Sequence, residues 1–434
     1  MKNKILDARE KRKITIEKLA QNGAFLVCLK ANTPGLNKTR FSSYLLLRIF
    51  HPILMEKWVV NHVHFYESAD GPYLIYGLKY KDVNALKQAA IKIEESHFLG
   101  RLIDLDVYEK GELITRDSLH LPARTCMICG DYVHRCQRSQ KHSLTEILTH
   151  IDDQLLIYNK AKLHEWIEFS VLSELNLHPK FGLVTPFSAG SHMDMNYQLM
   201  RESLYVLIPF FVDMFALAYR NPNSEDLFKQ AQQIGILAEK AMYRKTRGIN
   251  TYKGLIYVLG FVCLAYGLLL QSQQPFSMIF KHIETLAKDV LDDFNKDLQT
   301  AGGTAFKKYQ IKGIRGEVFE GLPTLQKALT RFPNFNSQNT SNLHEILLFF
   351  MTHSKDTVAL KRAGSYEVYQ DFINLAKTID PNDTDALHNF TQKCVRYGIS
   401  FGGSADQLIV FHVLKYLEQF YHHPIIKKSL SIKE

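Results

Sequence analysis

The feature that most constrains this chain is a change of hydrophobic period near Ile157. Before it, short runs alternate apolar and polar residues, which is the signature of half-buried strands. After it, apolar residues recur every three to four positions to the end of the chain, which is the signature of packed helices. Helical patterns cover Leu163–Leu175, Leu199–Arg220, Asp226–Arg244, Lys253–Gln271, Phe276–Leu298, Leu343–His353, Tyr366–Thr378, Ala386–Tyr397 and Asp406–Tyr421. A mixed run followed by helices alone predicts an α+β domain over 1–155 and an all-α multi-helix domain over 156–434, joined near Ser143–Asn159. At 434 residues the chain is too long for one core. Gly254–Leu270 is the most apolar run, is slightly short for a membrane span and reads as a buried core helix.

In the front third, residues 1–25 read as a charged helix, with Ile5, Ala8, Ile16, Leu19 and Ala20 as its apolar side. Phe25–Lys30, Val59–Tyr66 and Gly71–Leu78 read as strands, and Val83–Ser96 as a helix. In Gly100–Tyr108, Ile103, Leu105 and Val107 alternate with Asp104, Asp106 and Tyr108. On a strand both aspartates then share one face, roughly 7 Å apart, a spacing at which they can share Mg²⁺ and leave room for phosphate oxygens. Arg116, Arg124, Arg135, Arg138 and Lys141 follow, interleaved with Cys126, Cys129, Cys136 and His142. Three thiols and an imidazole can hold Zn²⁺ tetrahedrally, although this spacing matches no common zinc module; reduced cysteines under an arginine-rich phosphate site are the other reading. The N-terminus is charged and lacks an apolar core, so no secretory signal is visible and a cytoplasmic location is expected.

The helical part is informative where its helices break. His178–Met195 holds two prolines and two glycines, so it cannot be one helix, and it carries Lys180, His192 and Asp194. Gly248–Gly254 brings Lys253, and Gly313–Pro323 brings Arg315, Glu317 and Glu320. Asp356 and Arg362 follow, then Gly402, Gly403, Ser404 and Asp406 at the start of the last long helix. Glycines at a helix start let backbone N–H groups face an anion. Several polar loops in an apolar helical array read as a polyphosphate site.

These residues resemble two known families. Glu174, Pro179-Lys180-x-Gly182-Leu183-Val184, Gly190-x-His192-x-Asp194-Met195, Asn250-Thr251-x-Lys253-Gly254, Arg315-Gly316-Glu317, Asp356-Thr357 and Gly402-Gly403-Ser404-Ala405-Asp406 are similar to triphosphoribosyl-dephospho-CoA synthase, over residues 160–434. Ala8-Arg9-Glu10, Asn32-x-Pro34-Gly35-x-x-Lys38, Gly100-Arg101-Leu102-x-Asp104-x-Asp106-Val107, Arg124-x-Cys126-x-x-Cys129 and Cys136-x-Arg138-Ser139-x-x-His142 resemble holo-citrate lyase acyl carrier protein synthase, a phosphoribosyl-dephospho-CoA transferase of nucleotidyltransferase-like character. Phe181, Thr185, Tyr252, Phe401 and Gln407 depart from the usual synthase residues.

The resemblance implies two successive reactions. The rear module would join ATP to dephospho-CoA with release of adenine. The front module would move the product onto a serine of the citrate lyase acyl carrier subunit, the gamma chain, with release of pyrophosphate. On this reading Lys180, Lys253 and Arg315 contact phosphates with His192, Gly402, Gly403 and Ser404 beside them. Asp194, Asp356 and Asp406 hold Mg²⁺, and Glu317 is the base, with Glu320 as the alternative. In front, Asp104 and Asp106 hold Mg²⁺ while Lys38, Arg101, Arg116 and Arg124 contact the triphosphate.

The net charge is +9, and residues 1–150 carry seven more lysines and arginines than acids. That basic front suits an acidic carrier protein. It also suits the rival reading, a basic zinc-containing nucleic-acid-binding protein with a helical C-terminal domain, which predicts salt-sensitive binding but gives no reason for the carboxylate-glycine loops. The expected partners are the carrier and small nucleotides, with neither nucleic acid nor membrane.

Overall fold

A computed structural model of the chain describes residues 2–21, 25–272, 274–288, 301–336 and 338–421. It divides into two compact units, Met1–Asn159 with Gln419–Glu434, and Lys160–Glu418.

The first unit runs α1 (Lys2–Ala20), β1 (Phe25–Ala31), α2 (Phe41–Lys57), β2 (Val60–Tyr66), β3 (Tyr73–Leu78), α3 (Val83–Ser96), β4 (Ile103–Glu109), β5 (Glu112–Ile114) and α4 (Val133–Ser139), then enters α5 (Leu144–Asn176). The strands form one antiparallel sheet in the order β2-β3-β1-β4-β5. Alternation decides its two faces. Leu26, Cys28, Tyr73 and Ile75 pack under Ile16 and Ala20 of α1, with Tyr108 and Leu19 beside them. Val27, Leu29, Leu105 and Val107 point the other way and are fully buried. The register sets Lys30 opposite Asp104 and Cys28 opposite Asp106. The face that begins as core under α1 therefore ends in charge.

The second unit continues with α6 (Tyr197–Arg220), α7 (Leu227–Thr246), α8 (Lys253–Ser272), α9 (Met278–Leu286), α10 (Ala301–Tyr309), α11 (Gly313–Phe319), α12 (Pro323–Arg331), α13 (Thr340–His353), α14 (Thr357–Ala363), α15 (Tyr366–Ala376), α16 (Thr384–Arg396) and α17 (Gly402–Tyr421). Its described residues contain no strand. By length and composition α6 and α8 could each cross a membrane, yet 78% of the apolar window of α8 and 56% of that of α6 are buried in the unit. The α8 run that reads as a core helix in the sequence packs as one.

Three differences from the sequence reading have local causes. Helix α2 was not foreseen: its apolar run lacks a clear period, and it carries Pro52 within it. The loops read at Gly313–Pro323 and at Lys355–Gly364 contain the short helices α11 and α14, each only seven residues long. The pattern read over Phe276–Leu298 forms α9 as far as Leu286, and residues 289–298 lie outside the described residues.

Candidate active sites

In the front unit, strand β4 buries Ile103, Leu105 and Val107 and leaves Asp104 and Asp106 partly exposed on one face. Lys30 of β1 lies 3.5 Å from Asp104 and 3.1 Å from Asp106, between the two carboxylates. Burial would raise the Asp104 carboxyl, but Lys30 and Arg124 outweigh it and hold it below the usual range. Arg124 bridges Asp104 and Glu94 with one guanidinium nitrogen on each. Glu94, only 1% exposed in its side chain, also takes Arg116 at 3.3 Å and accepts from the Leu105 backbone N–H at 2.7 Å. Arg101, Arg116 and Arg124 converge on a cavity of 420 Å³ that also meets Glu95, Asp131 and Tyr132. Lys38 lies outside that lining and donates to the Thr33 carbonyl; burial lowers its ammonium.

Lys30 and Glu94 were missed in the sequence. Only the β1–β4 register shows that Lys30 faces the aspartates. Glu94 did carry a signal: it stands four residues after Ala90 and seven after Lys87, on the buried face of α3, where a charge needs a partner.

Beyond the cavity, the ligand atoms of Cys126, Cys129, Cys136 and His142 lie within 4.8 Å of one another. The Cys129 and Cys136 sulfurs are 3.4 Å apart, and His142 Nε2 is buried with no hydrogen-bond partner. That donor set fits Zn²⁺.

In the rear unit the His178–Met195 loop is pinned by residues about two hundred positions away. Gly182 has φ +76°, and a Cβ there would run into the Ile399 carbonyl and the Ser191 hydroxyl. Ser191 donates through its hydroxyl to Ile399 O at 2.6 Å, and His192 Nε2 meets Ser400 Oγ at 2.9 Å. Arg362 of α14 donates to His192 Nδ1 at 2.9 Å and to Ser191 O and Gly398 O at 3.1 Å each. A guanidinium only donates, so His192 carries its proton on Nε2 and gives it to Ser400. Burial first, then Arg362, pushes the His192 imidazole down to about 4.

Asp356, 3% exposed, ties the next two pieces together. One oxygen caps α14 through Val358 and Ala359 N–H, and the other accepts from Ser404 N–H at 2.8 Å and its hydroxyl at 3.0 Å. Burial still raises its carboxyl. With four donors on its two oxygens, Asp356 is a structural tie, not an open metal ligand as expected. Asp406 differs. Its carboxylate lies over Gly254, where any Cβ would collide with it. Among the described residues it has no hydrogen-bond donor. Burial, Asp356 and Glu174 push its carboxyl well above the usual range. The buried Tyr252 hydroxyl, also without a partner, faces the same field of Glu174 and Asp406.

Lys180 does not reach solvent. It is 1% exposed and pairs with Glu174 at 2.9 Å, so it neutralises that acid and is not open to a phosphate. Lys253 pairs with Glu239 at 3.0 Å at the head of α8. Glu317 accepts from Thr324 N–H at 3.1 Å and its hydroxyl at 2.6 Å, at the start of α12, and burial raises its carboxyl. Glu320 is exposed, 3.6 Å from Lys312. Asp194 is exposed on the rim within electrostatic reach of His192, Arg315 is half-buried on α11, and Gly402 and Gly403 open α17 against Val358 and Asp356. The structure thus gathers Glu174, Lys180, His192, Asp356, Arg362, Ser404 and Asp406, with Lys253 paired to Glu239 next to Gly254, while Glu317 has its own partner in Thr324. Glu174 and Arg362 are the members that the sequence left without a role.

The model of the family described as apo-citrate lyase phosphoribosyl-dephospho-CoA transferase matches residues 2–158. That of ATP:dephospho-CoA triphosphoribosyl transferase matches residues 160–424. A Haemophilus influenzae protein named CitXG is 31% identical, over 93% of each chain. The chain belongs to the CitXG family. It is a transferase that carries both activities on one polypeptide, and its chemistry is that of ATP and dephospho-CoA. CitXG of Leuconostoc mesenteroides subsp. cremoris is 28% identical over 94% of this chain and 95% of its own length. A Haemophilus ducreyi protein named 2-(5''-triphosphoribosyl)-3'-dephosphocoenzyme-A synthase is 28% identical over 65% of this chain and 96% of its own.

Proposed function

We propose that residues 1–155 form a nucleotidyltransferase-like phosphoribosyl-dephospho-CoA transferase and residues 156–434 the triphosphoribosyl-dephospho-CoA synthase, acting in sequence in the cytoplasm. The observation that carries the rear assignment is the convergence of the His178–Met195 loop, Asp356, Ser400–Asp406 and Gly254 around the unpaired Asp406 carboxylate.

In the rear reaction the ribose hydroxyl of dephospho-CoA attacks the anomeric carbon of ATP. The bond to adenine breaks as the bond to oxygen forms, and the transition state carries oxocarbenium character, as in glycoside cleavage. Asp406, with Asp194 on the rim, would face Mg²⁺, which when bound neutralises the triphosphate. Asp406, ionised beside bound Mg²⁺, would face the developing positive charge. Glu317, raised by burial, is the candidate to take the hydroxyl proton. Lys253 and Arg315 meet phosphates, and Lys180 keeps Glu174 in place.

In the front reaction a serine hydroxyl of the carrier attacks the phosphorus nearest the ribose, and pyrophosphate leaves. Arg101, Arg116 and Arg124 line the cavity where phosphoryl charge would build. Asp104 and Asp106 would hold Mg²⁺ when Lys30, which lies between them, swings to phosphate. Zn²⁺ on Cys126, Cys129, Cys136 and His142 would brace the segment that follows Arg124. The test is to incubate the chain with ATP and dephospho-CoA and measure adenine, then add apo-carrier and follow its mass. Adenine without carrier labelling would overturn the front assignment alone. Metal analysis of the protein purified without chelator should find one zinc per chain; none would remove the zinc from this reading.

A further inference from the structure

The rear unit holds a pocket that none of the roles above uses. It lies between α6, α7 and α8, measures 220 Å³, and is walled by Met214, Phe228, Ile236, Tyr257, Phe261 and Leu264. Two glycines keep it open. Gly235 of α7 and Gly260 of α8 both face Met214: a Cβ on Gly235 would lie 3.6 Å from its methyl carbon, and one on Gly260 2.8 Å from its sulfur. The walls are mostly apolar; Gln232 and Glu239 are polar members of the lining, and Glu239 forms the 3.0 Å pair with Lys253.

The position of Lys253 decides what such a pocket can take. Lys253, Ile256, Tyr257, Gly260 and Leu264 recur at three- and four-residue steps, so the lysine heads the face of α8 that lines the pocket. The next residue, Gly254, carries the Asp406 carboxylate against it. From Lys253 to Gly260 is seven residues, roughly 10 Å along the helix axis. Reading down α8, the cation and the acidic centre stand together at its head, and the apolar slot follows.

Dephospho-CoA divides the same way: a reacting ribose and a diphosphate at one end, and an uncharged pantetheine arm with a gem-dimethyl group and a terminal thiol at the other. We propose that this pocket receives the pantetheine arm of dephospho-CoA, with Lys253 at its mouth on the diphosphate. The proposal rests on the reading of the helical unit as the triphosphoribosyl transferase. An apolar slot with few polar groups at its mouth is the usual form of a small-molecule site, and the Met214 thioether adapts readily to a flexible chain. The slot also separates dephospho-CoA from ADP, which shares the ribose and diphosphate but ends where the pocket begins. Binding energy from a non-reacting arm is available to orient the reacting ribose.

Two variants test this by steady-state adenine release with ATP and dephospho-CoA varied in turn. Gly235→Leu enters the slot from α7 without close contact at its Cβ, and Ile236→Glu puts a charge at the lining from an exposed position. Each should raise the KM for dephospho-CoA about tenfold or more, with the KM for ATP unchanged. With ADP offered as acceptor, the variants should match the wild type. If Gly235→Leu does not fold, Ile236→Glu alone decides. Folded variants with the wild-type KM for dephospho-CoA overturn the pocket assignment and leave the transferase reading intact. A wild-type chain that releases no adenine overturns both.

Discussion

At the scale of single residues, several charges that the sequence offers to ligands are committed to protein partners instead. Lys180 looks like a phosphate lysine in the sequence, but it is sealed against Glu174. Asp356 looks like a metal ligand and instead caps α14 and holds Ser404. Of the acids gathered in the rear unit, Glu174, Asp356 and Asp406, Asp406 is the one with no hydrogen-bond donor among the described residues. Asp104→Asn should abolish carrier labelling and leave adenine release unchanged, because the two carboxylates belong to separate units; loss of both activities would contradict that independence. Lys180→Met leaves Glu174 as an unpaired buried charge and should cost about 3–5 kcal/mol in denaturant unfolding of the rear unit. His192 gives a pH signature. Its imidazole is depressed from about 6.5 to about 4, so folding favours the neutral form. The stability it supplies is complete above pH 6.5 and is lost as pH falls toward 4. The melting temperature of His192→Gln should therefore fall less between pH 7 and pH 4.5 than that of the wild type, and equal losses would rule the assignment out.

At the scale of elements, two kinds of information differ in how far the sequence exposes them. Local period was readable: alternation at Ile103–Val107 is enough to place both aspartates on one face of β4, and three-to-four spacing marks α6, α7 and α8. Partners distant in sequence were not. No local pattern says that Ser191 and His192 meet Ile399 and Ser400, or that Lys30 stands opposite Asp104. The glycines hint at such contacts, since Gly182 in a left-handed conformation against a carbonyl admits no side chain. Gly182→Ala should cost about 3 kcal/mol or more, measured by denaturant unfolding. Glu317 serves an element and is also the base of the proposed reaction. Glu317→Ala removes the cap of α12 and should cost about 1 kcal/mol. Glu317→Gln keeps much of the cap and should slow adenine release roughly 100-fold if the carboxylate is the base. Full release in that variant would leave Glu317 with the capping role alone.

At the scale of the molecule, a five-stranded sheet unit and a helical unit share one chain, and each carries its own constellation. The sheet unit gathers arginines around a cavity, which suits transfer of a phosphoryl-linked group to a protein hydroxyl. The helical unit gathers carboxylates around Gly254 and Asp406, which suits departure of a base from a ribose. The measurement that bears most directly on this division is adenine release and carrier labelling by Asp406→Asn, assayed side by side with the wild type. Adenine release should fall at least 100-fold with the fold retained, while labelling of apo-carrier from preformed triphosphoribosyl-dephospho-CoA proceeds at the wild-type rate. Undiminished adenine release from a folded Asp406→Asn protein would mean that the gathered loops are not the site of the rear reaction.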